Sequence, residues 1–78
     1  MAGGVLGALV RRHRLAAPLT QQELADAAGL HLKSVQAIEA GASRPRPSTI
    51  RKLAAALGVP ARELAAAAAG DERTTGPR

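Results

Sequence analysis

Lys33, Gln36, Ala37 and Ala40 recur at i, i+3, i+4 and i+7, so a helix here sets one cation, one amide and small side chains along a single narrow face. Such a face can enter a groove, the lysine and the amide offering hydrogen bonds and the alanines allowing close approach. Leu30, Val35 and Ile38 are placed on the other side, to pack inward. Just upstream, Leu24, Ala25 and Ala28 follow the i, i+3, i+4 spacing of one buried helix face. Gly29 stops that helix, because glycine takes the left-handed conformation at no steric cost and lets the chain turn sharply. Gln21 to Gly41 therefore reads as two short helices joined by a tight turn.

Other chemistry is poorly served. His13 and His31 fall on different helices, there is no cysteine, and no motif brings a carboxylate to either histidine, so no metal site is expected. Gly3, Gly4 and Gly7 do not make a phosphate loop, since no strand precedes them and no G-K-[ST] follows. No nucleophile, base and orienting group cluster in sequence. Neither an enzyme nor a cofactor is expected.

A chain of 78 residues makes one domain, and one this short buries only roughly 60% of its unfolded surface. With no Phe, Tyr or Trp, its core must come from Leu, Val, Ile and Ala, which suits close-packed helices. The missing aromatics also argue against single-stranded nucleic acid, whose bases usually stack on rings; duplex DNA needs none. Without cysteine nothing points to an oxidising compartment, and the cytoplasm is the expected location. The opening MAGGVLGALVRRHR has its apolar block before its arginines, the reverse of a secretory signal, and is far short of the roughly 20 residues of a membrane span. The net charge is +5, and Asp71 to Arg78 contributes none of it. A basic domain is attracted to phosphate backbones and anionic membranes alike. Here the cations are spread over several helices without aromatic anchors, which disfavours the membrane.

Four segments repeat the i, i+3, i+4, i+7 spacing: Leu6, Leu9, Val10, His13; Gln21, Leu24, Ala25, Ala28; Ile50, Leu53, Ala54, Leu57; and Ala61, Leu64, Ala65, Ala68. With the helix from Leu32 to Ala40 they predict an all-α, five-helix bundle. Pro18 separates the first two helices, and Thr20 with Glu23 forms a capping box at the start of the second. His31 is a poor cap for the third helix, which Gly41 closes. The run Ala42 to Pro47 is a loop, Ser48 is the expected N-cap of the fourth helix, and Gly58 ends it. Pro60 opens the fifth. Residues 1–70 form the expected domain, with its two-helix motif at 21–40, and residues 71–78 a disordered polar tail.

In this register the chain resembles the phage-repressor and Cro type of helix-turn-helix domain, the family also named after the xenobiotic response element. Gln21, Ala25, Gly29, Val35 and Ile38 match the first, fifth, ninth, fifteenth and eighteenth positions of its motif. The ending Glu39-x-Gly41, the basic loop Arg44, Pro45, Arg46 and the closing LAAALGVPARELA from Leu53 also look like the family. Pro18 stands where the family usually has Gly, His13 where an aliphatic residue is common, and His31 where Ser or Thr is usual.

The resemblance implies a lambda-repressor-like fold whose third helix lies in the major groove of double-stranded DNA. Leu32, Lys33, Ser34, Gln36 and Ala37 then reach base edges: Lys33 toward guanine, Gln36 toward adenine, Leu32 or Ala37 toward a thymine methyl. Gln21 and Gln22 at the start of the second helix, and Arg44 and Arg46 in the loop after the third, take phosphates. Arg11 and Arg12 are read as a solvated face, whereas Arg14 pairs with Glu39 and ties the reading helix to the core. The implied function is a sequence-specific regulator that represses by occupying an operator; two polar readers alone select poorly, which favours a homodimer on an inverted repeat, with Ala61 to Ala69 as the candidate contact. Antitoxins and restriction-modification controller proteins are small proteins of the same type, so a protein partner is the alternative.

Overall fold

Five helices follow one another in the computed structural model, which describes residues 4–74 and the side chains of 4–71: α1 (Gly4–Ala16), α2 (Gln21–Ala28), α3 (Leu32–Glu39), α4 (Pro47–Leu57) and α5 (Ala61–Thr74). No strand occurs among the described residues. α2 and α3 have eight residues each, too few to persist alone in water, so packing must hold them. α2 packs on α3 and α4, while α1 packs on α3, α4 and α5, and α4 on α5. Each helix contributes one large, fully buried aliphatic side chain to the centre: Val10, Leu24, Val35, Leu53 and Leu64. Leu6, Ala25, Ala28, Ile38, Ile50, Ala54 and Ala67 close the core around them.

The turn between α2 and α3 is built as its residues dictate. Thr20 Oγ1 accepts from the Glu23 amide at 3.0 Å, and Glu23 Oε1 accepts from the Thr20 amide at 2.8 Å, completing the capping box. Gly29 ends α2 with φ +70°, and the Leu30 amide returns to the Ala25 carbonyl at 2.8 Å. His31 occupies the N-cap of α3 in extended conformation but gives no side-chain cap, as its type predicts.

Three departures from expectation fall in α4 and α5. α4 starts at Pro47 with Arg46 at the N-cap, so Ser48 lies inside the first turn. Proline at the first helical position needs no partner for a missing N–H and brings a preset φ, which wins over the serine cap. α5 does not stop at Ala69 but runs on through Gly70 to Thr74, and Asp71, assigned to a disordered tail, caps α1. Its carboxylate accepts from the Val5 amide at 2.7 Å and the Leu6 amide at 2.9 Å. The rest of the expected tail, 75–78, lies outside the described residues. Finally, α5 buries Leu64 and Ala67 and leaves Ala65 exposed. The uninterrupted alanines from Ala65 to Ala69 give a periodicity no polar residue to mark its outer side, so docking on both α1 and α4 decides the rotation.

A core of small side chains lets backbones come close. At Gly7 an added Cβ would sit 2.6 Å from the Glu39 carbonyl oxygen and 2.7 Å from that of Ile38, so α1 touches the end of α3 at main-chain level. At Gly70 an added Cβ would meet nothing within 4 Å. Helix propensity alone favours alanine over glycine at both sites by about 1 kcal/mol. The expected outcomes are opposite. Gly7→Ala destabilises by about 1–3 kcal/mol through forced displacement, whereas Gly70→Ala stabilises by about 0.5–1 kcal/mol. Urea unfolding followed by far-ultraviolet circular dichroism reads both, and a stabilised Gly7→Ala variant would refute the close approach.

Candidate nucleic-acid interface

α3 is divided lengthwise. Val35 and Ile38 are buried, Lys33 and Gln36 are exposed, and Leu32, Ser34 and Ala37 lie half-buried along the boundary. The five residues expected to reach base edges therefore fall on the outer face and its margins, with the two polar readers fully outside. At the start of α2, Gln21 is half-buried and Gln22 exposed. Both amides already have an internal partner: Gln21 Nε2 donates to Glu39 Oε1 at 3.1 Å, and Gln22 Nε2 donates to Asp26 Oδ1 at 2.9 Å. An amide nitrogen carries two hydrogens, so each keeps one for an outside acceptor. Arg44 and Arg46 are exposed in the loop between α3 and α4.

The end of α3 is held by a charged pair. Arg14 Nε donates to Glu39 Oε2 at 2.7 Å and Arg14 Nη2 to Glu39 Oε1 at 3.1 Å, a two-pronged contact between side chains only 10% and 6% exposed. Arg14 Nη1 donates onward to the Leu19 carbonyl at 2.9 Å, tying the loop before α2 into the same group. The expected ion pair is thus formed, and it reaches further than expected, through Leu19 and Gln21. The Arg14 guanidinium is raised above its ordinary value; the hydrogen bond to Glu39 is the main cause, burial opposes it and the Glu39 charge adds to it. A raised folded value means that the stability it confers is complete below the unfolded value and lost only as pH rises through the folded one. Both lie far above the working range, so Arg14 is cationic throughout it.

No sequence motif brings a carboxylate to His13, but the fold does, which corrects that expectation. Packing of α1 on α5 brings Glu63 Oε2 to 2.8 Å from His13 Nε2. A carboxylate only accepts, so the ring nitrogen carries the hydrogen. His13 is 23% exposed and serves as an inter-helix tie. Among the described residues no three His, Cys, Asp or Glu side chains are grouped so as to hold a metal ion. Arg11 and Arg12 are exposed on α1, as read from the sequence. No helix among the described residues is long and apolar enough to cross a membrane.

A family model described as helix-turn-helix matches residues 10–64, the span from mid-α1 into α5. The chain belongs to the helix-turn-helix family of the xenobiotic response element type. Membership makes it a DNA-binding regulator of transcription. No curated protein matches the chain. Solved structures of the helix-turn-helix class are similar to it, among them the following two. The restriction-modification controller protein C.AhdI from Aeromonas hydrophila is 37% identical, over 76% of this chain and 89% of that one, with a TM-score of 0.73. The hypothetical transcription factor NHTF from Neisseria is 38% identical, over 82% of this chain and 74% of that one, with a TM-score of 0.76. Gly7 and Asp71 lie outside the span that matches the helix-turn-helix model, so the main-chain contact and the cap of α1 are read from this structure alone.

A buried pair is costly to break on one side only, because the survivor keeps its charge without its partner. Glu39→Ala is expected to lower the unfolding free energy by about 3–5 kcal/mol, and the double variant Arg14→Met/Glu39→Leu to recover most of that loss. Urea titration of the single and double variants measures both; equal losses would show that the pair itself, and not the orphaned charge, carries the effect.

Proposed function

We propose that the chain represses transcription in the cytoplasm by occupying an operator as a homodimer, with α3 in the major groove and no catalytic step. The observation that carries this reading is the division of α3. Lys33 and Gln36 stand clear of the protein while Val35 and Ile38 on the reverse face are locked in the core. Lys33 donates to guanine O6 and N7, Gln36 pairs with the N6 and N7 edge of adenine, and Leu32, Ser34 and Ala37 shape the contact around them. Gln21, Gln22, Arg44 and Arg46 set register on the phosphates.

Each good polar pair contributes about 1–3 kcal/mol of discrimination, so two readers make a single domain weakly selective. Two copies on half-sites roughly 34–36 Å apart repair this. α5 supports such a pairing. Ala65 and Ala69 are exposed and, with Ala61 and Ala68, face a shallow groove against Pro45, Pro47 and Ile50. Alanines bury little area, so monomer and dimer exchange. Sedimentation across a wide concentration range should show that exchange, and one species throughout would exclude it.

The likeness to a restriction-modification controller protein favours a second reading, in which the same fold regulates a restriction system or acts with a protein partner. Selection from a randomised duplex pool at two salt concentrations tests the main proposal. An inverted repeat that stays enriched at the higher salt is the expected result; binding without sequence preference that vanishes with salt would overturn it. On the selected site, Arg44→Ala should reduce the slope of log affinity against log salt by about 1. An unchanged slope would remove Arg44 from the phosphate contacts.

A further inference from the structure

We infer that Glu39 is a positioning residue for sequence reading, and that it acts through Gln21, which links the phosphate seat at the start of α2 to the base-reading helix α3. The inference rests on the reading of α3 and α2 given under Proposed function and adds a coupling between them. Glu39 is the last residue of α3, and its carboxylate accepts from three donors: Arg14 Nε, Arg14 Nη2 and Gln21 Nε2. Arg14 also holds the Leu19 carbonyl, in the loop that leads into α2. One carboxylate therefore joins α1, the approach to α2, the first residue of α2 and the last residue of α3.

The role of Gln21 in this group is separable from that of Arg14. Arg14 occupies both carboxylate oxygens by itself, so the burial of Glu39 is already answered without Gln21. What the Gln21 bond adds is orientation. A free glutamine side chain samples many rotamers, but one amide hydrogen donated to Glu39 fixes the plane of the group and the direction of the second hydrogen. A phosphate that accepts that second hydrogen is then one hydrogen bond away from the reading helix. Beneath it, the main-chain contact of Gly7 with the Glu39 carbonyl leaves α3 little freedom to follow a displaced phosphate. Phosphate register and base register are set by the same atom, Glu39 Oε1, which receives both Gln21 and Arg14.

A simple phosphate ligand and a coupling residue have different signatures. Losing a phosphate contact weakens binding to every sequence by the same factor. Losing the coupling harms the operator most, because only there must phosphates and base edges be met together. Gln21→Met keeps length and shape and removes both hydrogen bonds. We expect it to cost about tenfold or more on the selected operator and less than about threefold on random duplex. The salt slope should be unchanged, since the amide is uncharged. Glu39→Asp supplies the complementary case: it retains a charge for Arg14, withdraws from Gln21, and leaves the amide intact for the phosphate. It should reproduce the loss of operator preference. Should Glu39→Asp fail to fold by circular dichroism, a double-mutant cycle of Gln21→Met with Gln36→Ala carries the test, with non-additive operator binding expected. Equal losses on operator and random duplex, or an additive cycle, would overturn the coupling while leaving DNA reading intact. A wild-type chain that prefers no sequence would overturn both.

Discussion

A carboxylate at the C-terminal end of a helix sits where the helix dipole is unfavourable to it, and Glu39 is nearly buried there as well. Only a strong local counter-arrangement makes that tenable, and Arg14 supplies it with two parallel hydrogen bonds from a side chain that is itself buried. The remainder of the interface depends on this pair. It fixes the end of α3 to α1, draws in the loop before α2 through the Leu19 carbonyl, and receives the first side chain of α2. An eight-residue helix with Lys33 and Gln36 on its outer face cannot hold its own angle; the Arg14–Glu39 pair and the buried Val35 and Ile38 hold it from two sides.

The absence of aromatic residues shapes everything else. Cores of Leu, Val, Ile and Ala bring helix axes close, and the contact of Gly7 with the carbonyls of Ile38 and Glu39 is the extreme case. Small side chains also mean that little apolar area is available per residue, so polar ties between distant parts of the chain gain weight. Asp71 on α5 caps the first turn of α1, and Glu63 on α5 meets His13 on α1. These ties join the two ends of the described chain through α1 and α5.

Two departures from the family pattern, His13 and His31, are accounted for by the packing around them. His13 stands where an aliphatic residue is common because α5 brings a carboxylate to it. His31 caps α3 with its backbone conformation alone, leaving Val35 and Ile38 to hold the helix by burial.

Five helices, their order, the turn at Gly29, the capping box and the inner and outer faces of α3 were all legible in the sequence, because each depends on residues within a turn or two of one another. Burial periodicity, a glycine at positive φ and a T-x-x-E box are local physics. The Arg14–Glu39 pair was legible only through resemblance. Apart from the start of α4, where Pro47 outweighs Ser48 locally, what the chain alone left open depends on residues brought together from far apart. The rotation of α5 is undetermined by a run of alanines and is settled by docking on α1 and α4. Nothing near Asp71 indicates that its carboxylate caps a helix beginning at Gly4, and nothing near His13 indicates Glu63. Gln21 looks like a free amide at a helix start until Glu39 arrives beside it. Local sequence thus determined which elements form and, outside α5, which faces they bury, while tertiary packing decided the rotation of α5 and which polar groups meet, since a hydrogen bond between distant residues leaves no periodic trace in the chain.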